Sequence, residues 1–109
     1  MILIKDLEKL KLKIVDSIHP ERIILFGSYA KDTFSNDSDL DLLVVIKESN
    51  EPRYKRARKI RKSIWGLVNV PKDIIVYTEE ELDRWKDVPM SFVSNIINEG
   101  KIIYERKRK

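Results

Sequence analysis

Four consecutive apolar residues, Ile23-Ile24-Leu25-Phe26, stop abruptly at Gly27-Ser28. So short and unalternating a run predicts a strand buried on both faces, a kind of strand that needs cover above and below. That requirement points to an α/β domain: a small mixed β-sheet flanked by helices.

The surrounding sequence supplies the other layers. Ile4, Leu7, Leu10, Ile14 and Ile18 recur at spacings of three and four, predicting an amphipathic first helix that ends near His19-Pro20. After the polar stretch Lys31 to Ser38, expected to be a loop, Leu40 to Ile46 forms a second strand. A turn at Ser49-Asn50-Glu51-Pro52 leads into a helix through Tyr54, Ala57, Ile60, Ile64 and Leu67. Asp73 to Tyr77 is the third strand, and Thr78-Glu79-Glu80-Glu81 has the pattern of a capping box opening a helix to about Lys86. Pro89 can start a last helix through Phe92, Val93, Ile96 and Ile97, closed by Gly100 as a left-handed C′ residue, before an edge strand from Lys101 to Glu105. A chain of 109 residues with no repeat or linker is expected to be one domain over 1–109.

Charge is distributed unevenly. Arg53 to Lys62 holds seven basic residues and no acidic one, Arg106 to Lys109 holds four more, and the rest has 11 basic against 18 acidic residues. The first run suggests a polyanionic or acidic partner, with a plain solvated helix face as the alternative, and the second is expected to be a disordered tail. Without cysteine there is neither a disulfide framework nor a Cys-based metal site. No apolar run is long enough to span a bilayer, and Lys5 and Asp6 interrupt the N-terminal apolar residues too early for a secretory signal. A cytoplasmic location without membrane association follows as the expectation.

Chemistry concentrates at the strand ends. Asp39 and Asp41 lie two residues apart at the start of the second strand, a spacing that puts both carboxylates on one face and Leu40 and Leu42 on the other. Paired carboxylates on an apolar strand repel and are costly to bury unless a hard divalent cation neutralises them. Asp73, at the head of the third strand, could add a third carboxylate for two ions bridging phosphate oxygens, and could take a proton from an attacking hydroxyl. At Gly27-Ser28 a glycine lets the backbone approach an anion closely, while the Ser28 hydroxyl and following amides can donate to phosphate. An Asp-x-Asp pair alone is often a solvent-facing turn, Asp73 could be a plain strand-edge residue and Ser28 a helix cap. The spacing of the two motifs argues for a site.

Gly27-Ser28, ten intervening residues and then Asp39-Leu40-Asp41 resembles the signature of the DNA polymerase β nucleotidyltransferase superfamily, in its minimal, stand-alone branch. The resemblance runs from His19-Pro20 to Glu99-Gly100-Lys101, and Ser38-Asp39-Leu40-Asp41-Leu42 is its most specific part. It implies that Gly27 and Ser28, with Lys31, bind nucleotide phosphates and that Asp39, Asp41 and Asp73 are catalytic and bind two Mg²⁺ ions, with ATP as substrate. It also implies a partner, a HEPN-domain ribonuclease toxin adenylylated on a tyrosine, which makes the chain the antitoxin of a type VII-like toxin–antitoxin pair. The loop differs from the family: arginine is frequent at the positions of Tyr29 and Lys31, and glycine at that of Asp32.

Other readings remain open: an antitoxin that acts by binding alone, or transfer to an RNA end or a small molecule. His19, the lone histidine, is expected to be structural. Trp65 and Trp85 are expected in the core or as anchors for a partner. The stripe of Phe92, Val93, Ile96 and Ile97 is either core or the interface of a homo-oligomer.

Overall fold

The computed structural model describes residues 4–31 and 39–107. Helix α1 (Ile4–Ile18) leads into strand β1 (Arg22–Phe26), which runs into a single 3₁₀ turn, Gly27–Tyr29. Strand β2 (Leu40–Ile46), helix α2 (Arg53–Ser63), strand β3 (Lys72–Thr78), helices α3 (Glu79–Trp85) and α4 (Phe92–Glu99) and strand β4 (Lys101–Glu105) follow. The sheet order is β3-β2-β1-β4, with β1 antiparallel to β2 and β4, and β2 parallel to β3. The expected mixed sheet is therefore observed, with Lys101–Glu105 on one edge and β3 on the other.

Period-two alternation sorts the side chains of β2 into two cores. Leu40, Leu42 and Val44 join Ile23, Leu25, Ile74 and Val76 under α1 and α2, which contribute Leu10, Ile14, Ala57 and Ile60. Leu43 and Val45 join Ile24 and Tyr77 under α3 and α4, which contribute Leu82, Val93 and Ile96. A sheet covered on both faces explains why β1 is a continuous apolar run.

Helix ends follow local chemistry. His19, at φ 48°, takes the left-handed position after α1, and its amide donates to Val15 O at 2.9 Å. The capping box forms as expected: Thr78 Oγ1 accepts from Glu81 N at 3.2 Å, and Glu81 Oε1 accepts from Thr78 N at 2.8 Å. Arg56, from α2, reaches the same Glu81 Oε1 at 2.7 Å and so ties the two helical layers together around the β3 edge. Helix α4 is capped by Ser91, whose hydroxyl accepts from Ser94 N.

Some expectations are corrected. The helix expected to run to Leu67 ends at Ser63, because the chain turns through Gly66 at φ 74° and leaves Trp65 88% exposed. Gly100 is extended (φ −76°), not left-handed. It is glycine because a Cβ there would lie 2.6 Å from both Ile24 Cγ2 and Ile96 O. The tail expected to be disordered from residue 106 is anchored at its first residue: Arg106 N donates to Glu21 O at 2.9 Å, and its guanidinium lies 3.8 Å from the Glu21 carboxylate. Residues 108 and 109 lie outside the described residues, as do Asp32 to Ser38 of the expected loop. The stripe on α4 is divided, with Val93 and Ile96 in the core and Phe92 and Ile97 partly exposed.

Candidate active site

β2 begins beside both of its neighbours, and that register brings the expected residues together. Asp41 stands opposite Phe26 on β1 and opposite Asp73 on β3. Directly opposed residues share a face, so the Asp41 and Asp73 carboxylates emerge side by side, on the side that α3 and α4 cover further along. Asp39 precedes the strand and is exposed, as is Asp73, while Asp41 is half-buried. Leu40 and Leu42 are fully buried in the opposite core, as the alternation requires.

Gly27 closes the site from the β1 side. Its φ is 74°, in the left-handed region, and a Cβ at this position would overlap Asp41 Oδ2. The Asp41 carboxylate thus rests against the bare Cα of Gly27. Close approach and backbone conformation both demand glycine here. Ser28 lies inside the 3₁₀ turn and not at its cap, which is Phe26 and has no side-chain hydrogen bond. The turn's own bonds run from Ala30 N to Gly27 O at 3.1 Å and from Lys31 N to Ser28 O at 3.2 Å.

Electrostatics mark Asp41 as the strained member. Burial raises its carboxyl above the ordinary carboxylate value, and the charges of Asp73 and then Asp39 push it the same way. An all-carboxylate donor set suits a hard cation such as Mg²⁺, which would relieve this repulsion. Among the described residues no three His, Cys, Asp or Glu side chains are gathered closely enough to hold a metal ion as they stand. The fit lies in charge and placement, not in a finished cage.

The atypical turn has a structural reason. Tyr29 is buried, within the core that contains Leu10, Ile14 and Leu25, so its ring serves packing and not phosphate contact. Lys31 Nζ pairs with Glu99 at the end of α4 at 2.9 Å, both side chains being about half exposed. Beside this pair lies a recess of about 160 Å³, lined by Phe26, Gly27, Lys31, Phe92, Asn95 and Glu99. Phe26 and Phe92 meet edge to face, with centroids 5.9 Å apart. Pockets for whole small molecules span roughly 300–1,000 Å³, so this recess alone does not hold a complete nucleotide. Glu99 and Phe92 were not among the sequence candidates, and no local signal places them beside Gly27.

Residues 6–104 match the nucleotidyltransferase domain family. The chain belongs to that family. As a nucleotidyltransferase it has relatives in Methanocaldococcus jannaschii, each provisionally named a protein adenylyltransferase. One is 34% identical over 80 residues, covering 73% of this chain and 75% of the relative. A second is 31% identical over 84 residues, covering 77% and 78%. Solved structures agree on the nucleotidyltransferase fold. A provisionally named nucleotidyltransferase from Sulfolobus solfataricus superposes with a TM-score of 0.66 at 22% identity, covering 94% of this chain and 79% of that one. A toxin–antitoxin structure with AMP-PNP superposes at 0.56 and 24% identity, covering 92% and 74%. Among the described residues no helix is long and apolar enough to cross a membrane.

Proposed function

We propose that this nucleotidyltransferase transfers AMP from ATP to a protein hydroxyl, a tyrosine of a HEPN ribonuclease toxin, and thereby acts as a cytoplasmic antitoxin. The observation that carries the reading is the register of Asp41 with Asp73, with the Asp41 carboxylate seated on Gly27. The carboxylates and the Gly27-Ser28 turn then share one strand-end edge. The relatives named protein adenylyltransferases support a protein acceptor, and the toxin–antitoxin neighbour supports a toxin as the partner.

In this reading the Gly27-Ser28 turn and Lys31 bind the phosphates, and Lys31 exchanges Glu99 for the anion. Asp39, Asp41 and Asp73 would hold Mg²⁺, which would supply charge neutralisation to the triphosphate. Asp73, the exposed carboxylate at the sheet edge, accepts the proton of the attacking hydroxyl. The hydroxyl oxygen bonds to the α-phosphorus as the bond to the β-phosphate oxygen breaks, giving an AMP ester and diphosphate.

Intact-mass spectrometry of the toxin after incubation with this protein, ATP and Mg²⁺ is the direct test. A gain on the order of 330 Da per AMP, absent with Asp39→Asn/Asp41→Asn, is the expected result. An unmodified toxin that still binds would overturn the reading in favour of an antitoxin acting by binding alone. That second reading draws on the engagement of Lys31 by Glu99 and the burial of Tyr29.

A further inference from the structure

On the opposite face of β3 from Asp73, a cavity of about 650 Å³ opens between the end of α2 and the start of the strand. Ile64, Val68, Pro71 and Ile74 make it apolar, and Arg61 and Trp65 stand at its wall. The wall is held in place by Lys72, whose ammonium donates to Val68 O at 2.7 Å and Val70 O at 2.9 Å. Trp65 is 88% exposed and packs into neither core, so the fold itself gives it no task.

The helix that ends at this cavity is strongly cationic. Of the seven basic residues on α2, Arg56 is bound to Glu81 and Arg53 lies over the Tyr77 ring and donates to its hydroxyl. Among the described residues Lys55, Arg58, Lys59, Arg61 and Lys62 are exposed, and none has a carboxylate partner. Arg61 on the cavity wall, with Arg58 one turn before it on the same side of α2, joins the apolar lining and the exposed indole in a surface complementary to a segment that is acidic and bears a large apolar side chain. RNA fits less well. Bases are held by stacking on successive aromatic faces, and among the described residues Trp65 is the single aromatic side chain of the lining.

Position gives the surface its purpose. Lys72 and Ile74 line the cavity, while Asp73 between them projects to the other face, and among the described residues β3 is an edge strand with no further strand outside it. A segment seated in the cavity needs only to pass around this edge to present a hydroxyl at Asp73. We infer that the cavity and the basic face of α2 dock an acidic, aromatic-bearing segment of the protein that accepts the nucleotide. The inference rests on the protein-acceptor reading above.

Its test uses the whole chain and a random copolymer of glutamate and tyrosine, labelled with fluorescein, with binding followed by anisotropy in the absence of ATP and Mg²⁺. The copolymer is expected to bind on the order of tenfold more tightly than polyglutamate, because tyrosine supplies the apolar anchor. Added NaCl weakens it, and Trp65→Ala and Arg61→Glu/Lys62→Glu each lose on the order of tenfold. Those side chains are exposed, so an unchanged circular dichroism spectrum and melting temperature are expected for both variants. Wild-type affinity in both variants, equal binding of polyglutamate, or tighter binding of oligouridylate at the same surface would each overturn the proposal, the last by assigning the surface to RNA. Transfer of radiolabelled AMP to the copolymer is measured separately. Asp73→Asn is expected to stop transfer and leave binding intact, so failure of docking and failure of adenylylation are told apart.

Discussion

On one face of β2, Leu40, Leu42 and Val44 are all fully buried, whereas on the other Leu43 and Val45 are sealed and Asp41, nearer the strand's start, is only half covered. The helices explain the difference. α1 and α2 supply core residues against the first face along β2, while α3 and α4 close the second face only over its apolar end. A single strand thus builds a sealed core on one side and leaves an acidic, half-open end on the other. Charge is tolerated where cover stops, at the cost of a carboxyl whose ionised form is disfavoured by burial and by its neighbours.

The largest effect should come from the sealed face. Leu42→Ala removes a fully buried side chain and should cost about 2–5 kcal/mol of unfolding free energy in urea titrations. Nucleotidyl transfer by the fraction still folded should be retained. A cost below about 1 kcal/mol would show that this face is not the main support of the fold.

The open face should respond in the opposite sense. Asp41→Asn is expected to reduce nucleotidyl transfer on the order of 10²–10³-fold and yet raise the melting temperature slightly. The folded-state carboxyl is raised, so its contribution to stability is full below the unfolded value and is lost as pH rises through the folded one. At neutral pH, then, the wild-type carboxylate opposes folding. A variant that melted earlier than wild type would mean that Asp41 supports the fold instead of burdening it.

The smallest effect concerns the link between the two layers. Burial alone would raise Glu81, but the hydrogen bonds from Arg56 and Thr78, with the Arg56 charge, hold its carboxyl below the ordinary value. Its contribution is therefore present above the ordinary carboxylate range and lost as pH falls through the depressed folded value. Glu81→Gln should cost on the order of 1 kcal/mol near neutral pH after solvent screening, a difference that narrows on acidification. Melting curves at neutral and acid pH check this, and a constant difference between the two proteins would remove the electrostatic explanation.

Much of the frame was legible because it depends on local periodicity. The unbroken run in β1, the spacings in α1 and the Thr78–Glu81 box each follow from residues within a turn or two of each other. The helix expected to continue through Leu67 shows where such reasoning stops, since spacing detects amphipathicity but not the left-handed turn at Gly66. Gly100 is a second case. Its position after a helix suggested conformational freedom, whereas its role is close approach to Ile24, a contact distant in sequence. Lys31 was recognised as a cation near the turn, but its pairing with Glu99 joins residues that only folding brings together.

By itself the sequence determined the α/β layering, the placing of Asp41 on the opposite face of its strand from Leu40 and Leu42, and the distance along the chain between the Gly-Ser turn and the Asp pair, because these depend on bonded geometry and on periods of 2.0 and 3.6 residues. Only the tertiary structure decided that Asp73 stands opposite Asp41, that Gly27 receives the Asp41 carboxylate and that Tyr29 belongs to the core. Strand register and close backbone approach are set by packing between segments far apart in the chain, where the fit of surfaces, not the order of residues, selects the neighbour.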